Sequence, residues 1–193
     1  GALRYERYRG IADVVTPKLG VIYAPSEAID LKGTWGRSFR APSFIQRYQV
    51  QQALLYPATT FGGGAYPAGS TALLRVGGNP ELKPEKAQSW SATLALHPPS
   101  LAGIDVELSY FSTRYVDRII NPIPLLARAL ADAAYSDQIT PNPTPQQQAA
   151  IVAEASQFIN VTGAAYDPAA VVAIVDSANV NDGRKEIRGV DAL

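Results

Sequence analysis

Read for its alternation of apolar and polar positions, the chain is a series of strands. From Gln88, QSWSATLALH sets Trp90, Ala92, Leu94 and Leu96 on one side and Ser89, Ser91, Thr93, Ala95 and His97 on the other. A period of two marks a strand with one apolar face. Beyond Pro98-Pro99-Ser100-Leu101 the alternation resumes in GIDVELSYFS, where Ile104, Val106, Leu108 and Tyr110 oppose Asp105, Glu107 and Ser109. AIDLKGTWGRS does the same, with Ile29, Leu31, Gly33 and Trp35 against Asp30, Lys32, Thr34 and Gly36. PKLGVIYA is weaker: Leu19, Val21 and Tyr23 share a face, while Ile22 spoils the other. The opening ALRYERY allows a fifth strand carrying Leu3 and Tyr5, and strand-like residues return at Ile187.

The connections differ in length in a regular way. Ala24-Pro25-Ser26-Glu27 and Pro98-Pro99-Ser100-Leu101 are short links, whereas the segments from Phe39 to Pro84 and from Tyr115 to Arg184 are long. Transmembrane barrels alternate in this way, with tight periplasmic turns and long external loops. Ten strand residues at about 3.3 Å each span roughly 33 Å; tilted by around 40°, they cover about 25 Å, the height of an outer-membrane apolar band. The length also fits a soluble sandwich. The last long segment carries helix signals. Thr144-Pro145-Gln146-Gln147 offers a cap, a first-turn proline and a capping-box Gln, and Ile151, Ala155, Phe158 and Ile159 follow at helical spacing. Asp167-Pro168 opens a second predicted helix through Val171, Val172 and Val175, and Pro124 a third through Leu126, Leu130 and Ala133.

Composition narrows the classes. The 193 residues hold 17 basic and 17 acidic side chains, so no basic field points to nucleic acid. Cysteine is absent, which removes disulfides and thiolate chemistry. Methionine is absent too, so Gly1 is not expected to be the natural start of translation. No run approaches the eighteen or more apolar residues of a membrane helix, which leaves a β-barrel open.

Candidate chemistry is thin. The single histidine, His97, stands beside Pro98-Pro99 with no Ser-His-Asp set around it, which favours a structural role. Gly62-Gly63-Gly64 lacks the Gly-Lys-Ser/Thr ending of a phosphate loop. Asp105 and Glu107 are alternate residues of one strand face, and Asn160-Val161-Thr162 is too short a match to use. The reading is of a protein that is not an enzyme and needs no cofactor.

Two segments carry more. Gly36-Arg37-Ser38-Phe39-Arg40-Ala41-Pro42-Ser43 ends one predicted strand, and Gly78-Asn79-Pro80-Glu81-Leu82-Lys83-Pro84-Glu85-Lys86 starts the next. In the second, each proline steers the residue before it, Asn79 and Lys83, away from helix. Together they resemble the "G-x-x-F-R-A-P-S" and "G-N-P-x-L-K-P-E" segments of TonB-dependent outer-membrane receptors, in the right order and at plausible spacing. Tyr110-Phe111 with Val116-Asp117-Arg118-Ile119-Ile120 is a looser likeness, and Asn181-Asp182-Gly183 to Asp191 resembles the start of another strand.

The resemblance implies a mainly β fold: antiparallel strands forming part of a transmembrane barrel of about 22 strands, with short helices in a long extracellular loop. Residues 1–193 would be a partial barrel domain, with the plug domain and the remaining strands absent. The implied function is energy-coupled import of a scarce solute (a ferric siderophore, cobalamin or an oligosaccharide) across a Gram-negative outer membrane. The implied partners are TonB, through the absent N-terminal part, the solute and outer-membrane lipid. Phe39, Arg40, Ala41, Pro42, Asn79, Pro80, Leu82, Lys83, Pro84 and Glu85 are the motif residues, expected to be structural. Tyr56, Phe61 and Tyr66 are candidate ligand contacts in the first long segment. Arg40 and Glu85, at the outer ends of neighbouring strands, are expected to pair. The alternative is a soluble β-sandwich module that binds a ligand or carbohydrate, or an adhesin; without the two motifs it would rank first. A plain porin is a third reading, disfavoured by the motif pair.

Overall fold

The computed structural model describes residues 1–99 and 103–193, so Ser100 and Leu101 of the second predicted link lie outside the described residues. In chain order the strands are β1 (Ala2–Tyr8), β2 (Ala12–Ser26), β3 (Ile29–Arg40), β4 (Gln52–Pro57), β5 (Thr71–Val76), β6 (Glu85–Leu96), β7 (Val106–Ile120), β8 (Ile139–Pro141), β9 (Gln157–Asn160), β10 (Val171–Asp176) and β11 (Val180–Ala192). Two α-helices, α1 (Phe44–Tyr48) and α2 (Pro145–Glu154), are joined by short 3-10 turns. The chain divides into a first unit, Gly1–Pro42, Lys83–Arg118 and Asn181–Leu193, and a second, Ser43–Leu82 and Ile119–Val180.

The first unit is a six-stranded sheet in the order β1-β2-β3-β6-β7-β11, with β1 and β11 at its edges. The pairings from β1 to β7 are antiparallel. Glu107 and Leu193 exchange both backbone bonds, at 3.0 and 2.9 Å, where the last strand joins. Directly opposed residues share a face, so the register sorts the side chains. One face carries the rows Tyr23–Leu31–Leu94–Leu108 and Leu19–Trp35–Trp90. The other carries cross-strand polar bonds: Thr34–Ser91 at 2.7 Å, Ser89–Thr113 at 2.9 Å, Thr93–Ser109 at 2.7 Å and Lys32–Glu107 at 3.3 Å.

The apolar face has no cover. Leu19 is 59% exposed, Val21 67% and Leu108 48%. Among the described residues of this unit, no Leu, Ile, Val or aromatic side chain is buried. A soluble sandwich would bury this face against a second sheet. Instead it presents the contiguous apolar surface that marks a membrane or partner.

The strands run longer than their alternation predicts. β2 extends through Ser26, with a register irregularity between Tyr23 and Ser26, so the predicted link Ala24-Pro25-Ser26-Glu27 shrinks to Glu27 and Ala28. Pro25 sits inside that irregularity, where its missing N–H costs no ladder bond. β7 starts at Val106, leaving Ile104 and Asp105 outside it, and β11 starts at Val180, ahead of the predicted Ile187.

The second unit is built from the two long segments, which carry the expected short helices together with strands that the alternation did not predict. They form a five-stranded mixed sheet in the order β8-β10-β5-β4-β9, with β10 parallel to β5 and β9 parallel to β4. TALLRV and VVAIVD are continuous apolar runs because both faces of these central strands are covered, which erases the alternation. Phe61, Leu74, Ile123 and Val175 form the core of one face. Leu55, Leu73 and Ile174 form the other, closed by Ile151 and Val152 of α2. Gln148, fully buried, donates to the carbonyls of Pro143 and Pro168 and accepts from the Tyr166 hydroxyl at 2.8 Å.

The predicted α2 is present, with Thr144 accepting from the Gln147 amide and Gln147 reaching back to the Thr144 amide. It ends at Glu154; Phe158 and Ile159 belong to β9 instead. The helix predicted after Asp167 is a 3-10 turn, Pro168–Ala170, followed by β10. The β-branched Val171, Val172, Ile174 and Val175 prefer a buried central strand. The helix predicted after Pro124 resolves into two 3-10 turns, Leu126–Arg128 and Ala133–Gln138.

Candidate functional site

The two motifs lie where the first unit gives way to the long segments. Strand β3 ends at Arg40, whose guanidinium bonds the Glu85 carboxylate at the start of β6 at 2.8 Å. The Glu85 side chain is 11% exposed and that of Arg40 62%, so a sunken carboxylate meets a solvent-facing cation. Phe39 packs edge-on against Tyr8, with ring centres 5.4 Å apart. Ala41 is half-buried and Pro42 buried; Ser43 then caps α1, accepting from the Gln46 amide at 3.2 Å while the Ser43 amide donates to Gln46 at 2.9 Å.

The return motif packs on that helix. The Gly78 amide donates to the Gln49 carbonyl and the Asn79 amide to the Gln46 carbonyl. A Cβ on Gly78 would lie 2.6 Å from the Arg47 carbonyl, so no side chain fits there. Arg47 donates to the Pro80 carbonyl from Nε at 3.0 Å, and Asn79 binds the Asn179 carbonyl through Nδ2 and the Glu81 amide through Oδ1. Leu82 and Pro84 are buried, and Lys83 is exposed.

Asn181 ties three chain ends of the first unit together. Its Oδ1 accepts from the Lys83 amide at 2.7 Å, and its Nδ2 donates to the carbonyls of Lys83 and Asp117 at 2.9 and 2.8 Å. Asp117 has φ of 56°, a left-handed kink. The reading of the sequence placed Asn181 only at the start of a strand. Its bonding partners are 98 and 64 residues away, beyond the reach of any local signal.

Beside the Arg40–Glu85 pair lies a cleft of about 320 Å³ lined by Arg40, Lys86, Arg118 and Lys185, with Glu85 and Tyr115. Lys86 pairs with Asp117 at 3.1 Å. Among the described residues Arg118 and Lys185 have no carboxylate partner. The cleft is therefore net positive, and four strands each supply one of its cations.

The candidate ligand contacts separate. Phe61 is 1% exposed and holds the core of the second unit, with Tyr56 edge-on at 5.7 Å. Packing, not contact with a solute, explains Phe61. Tyr66 lines an open cavity of about 340 Å³ in the same unit, with Thr59, Ser70 and Asp167. At the end of the sheet served by the short links, His97 bonds Asp105 through Nδ1 at 2.6 Å and faces Asp30 from Nε2 at 3.4 Å. The Asp105 bond, with help from Asp30, raises the imidazole above its ordinary pKa, although desolvation acts the other way.

No curated protein matches the chain by sequence. Solved structures match it in fold. The ferric enterobactin receptor PfeA of Pseudomonas aeruginosa, in a doubly substituted form, aligns with a TM-score of 0.58 at 20% identity, over 98% of this chain and 20% of that chain. The siderophore receptor PirA of Acinetobacter baumannii aligns with a TM-score of 0.59 at 16% identity, over 98% and 22%. PirA of Pseudomonas aeruginosa gives 0.53 at 15%, over 98% and 26%. The chain thus spans a fifth to a quarter of each receptor. The profile of the family described as TonB dependent receptor-like, beta-barrel matches residues 1–192. With its motifs, its open antiparallel sheet and that match, the chain belongs to the TonB-dependent receptor β-barrel family.

Proposed function

We propose that this chain is part of the barrel wall of an outer-membrane receptor that imports a scarce solute with energy delivered by TonB. The observation that carries the reading is the family match over residues 1–192; the family is one of transport receptors, not enzymes. The uncovered apolar face supports a lipid environment and disfavours the soluble module. In this reading the plug and the TonB contact belong to other parts of the protein, and the wall contributes solute contacts by affinity alone.

Among the three solute classes, the cleft favours an anion. Arg118 and Lys185 offer uncompensated cations beside Tyr115, which suits an anionic ferric chelate better than a neutral oligosaccharide. Within the second unit, Tyr66 is a separate candidate contact. Equilibrium binding of a ferric catecholate, cobalamin and a linear oligosaccharide to the intact bilayer-inserted receptor tests this. Arg118→Gln with Lys185→Gln should weaken the chelate about tenfold or more. Tighter binding of a neutral solute would overturn the anion assignment. Uptake that persists in cells lacking TonB would overturn the import reading.

A further inference from the structure

The second unit holds a cavity whose chemistry is the reverse of the cationic cleft. Of about 340 Å³, it lies between the turn that joins β4 to β5 and the segment that leads into β10. Thr59, Tyr66, Ser70, Thr71, Thr162 and Asp167 supply its polar groups, and among the described residues no Lys, Arg or His lines it. The Tyr66 ring, Pro57 and Pro67 add apolar surface. Among the described residues the hydroxyls of Thr59, Tyr66 and Ser70 have no protein partner. That of Thr71 is buried without one, a cost that a hydrogen-bonding ligand beside it removes. Both walls are fixed from within. In the turn, the Ala58 amide donates to the Ser70 carbonyl at 2.9 Å, and the Tyr66 and Ser70 amides donate to the carbonyls of Gly63 and Pro67, each at 3.1 Å. In the second segment, Asn160 accepts from the Thr162 amide at 3.0 Å and donates to the Ala164 carbonyl at 2.7 Å. Asp167 accepts from the Ala169 amide through Oδ1, which leaves Oδ2 open. A site held in this way needs little ordering on binding.

We infer that this cavity binds a neutral polyhydroxylated ring of the pyranose kind. A hydroxyl both donates and accepts, so open hydroxyls match a ligand whose own hydroxyls do the same; an ammonium only donates and a carboxylate only accepts. The lone carboxylate of Asp167 repels an anion and accepts from the hydroxyls of a sugar. The C–H face of such a ring packs on Tyr66 and the two prolines. The volume is near the lower end of the roughly 300–1,000 Å³ of ligand sites, which suits a small sugar or the end of a chain. The site goes beyond the import reading: it lies wholly within the second unit and needs neither the cationic cleft nor TonB.

The intact receptor is to be titrated with the methyl glycosides of glucose, galactose and mannose, followed by ligand-observed NMR. Tetrahydropyran serves as a ring without hydroxyls and cyclohexylamine as a charged ring. At least one glycoside should bind with a Kd on the order of 1 mM, and neither control should. Asp167→Asn, which keeps an acceptor for the Ala169 amide, should weaken binding about tenfold, and Tyr66→Ala about as much. A trisaccharide and an immobilised polymer of the preferred sugar then separate a free solute from a surface glycan. Absence of saturable glycoside binding by the unaltered receptor would overturn the inference, whether or not the variants fold. Preference for the amine would overturn the ligand class, and glycoside binding that survives both substitutions would overturn the site. A receptor that binds a glycoside but no ferric chelate would instead sink the anion reading of the cleft and leave this site standing.

Discussion

At the scale of single residues, the motif earns its shape by geometry. Glu85 is sunk into the protein and Arg40 is open to water, so the pair is asymmetric. Removing the carboxylate leaves a cation that water solvates, whereas removing the cation takes a partner from a buried charge. Arg40→Ala should therefore cost about 1–3 kcal/mol and Glu85→Gln about 0–1 kcal/mol, read by denaturant unfolding of the inserted protein. Equal losses would remove the argument from burial. His97 gives a pH signature. Its folded pKa is raised by Asp105 and Asp30, so its contribution is whole below the unfolded value of about 6.5 and fades as pH rises through the raised one. The protection factor of the His97 amide (its exchange rate relative to an unstructured amide at the same pH), which bonds the Ala28 carbonyl at 2.8 Å, should be higher near pH 6 than near pH 8. His97→Gln should flatten that difference; a slope that survives the substitution belongs to another group.

At the scale of elements, the register decides which strand positions accept a charge. Leu94 stands in the row Leu31–Leu94–Leu108, while its neighbour Thr93 bonds Ser109 at 2.7 Å on the opposite face. Arginine at a lipid-facing midplane position costs about 2–4 kcal/mol, and on the polar face it meets water. Leu94→Arg should impair assembly far more than Thr93→Arg in an outer-membrane folding assay, and parity between them would reverse the assignment of faces. Sequence alternation was legible in β3, β6 and β7 because each has one apolar and one polar face. In β5 and β10 it was not, because both faces are buried and a continuous apolar run reads equally as helix or strand.

At the scale of the whole molecule, six strands with two open edges cannot be the complete spanning structure, since hydrocarbon tolerates no unpaired backbone. Trp35 lies opposite Trp90, and the Trp90 and Tyr110 rings are 5.0 Å apart. In the barrel reading such a cluster is expected to form one level of an interfacial belt. In the intact protein, quenchers at the headgroup level should dim both tryptophans strongly and quenchers at the bilayer centre only weakly. Strong central quenching would place the belt at the wrong depth.

The sequence by itself determined what is local. It set the alternating strands β3, β6 and β7, the weaker signals of β1, β2 and β11, the short and long connections, the cap of α2, and the two proline-stiffened motifs with the family they signal, because strand periodicity and capping act over a few residues. The tertiary structure alone decided that the long segments fold into a second sheet with its own core. It also decided that Phe61 is packing and that Asn181 binds chain 98 residues away. Likewise, Arg40, Arg118 and Lys185 meet in one cleft while Arg37 and Arg114 line another, with Lys86 between the two. The reason is that strand pairing converts sequence distance into neighbourhood: which cations share a face depends on register across four strands, and no window along the chain contains it.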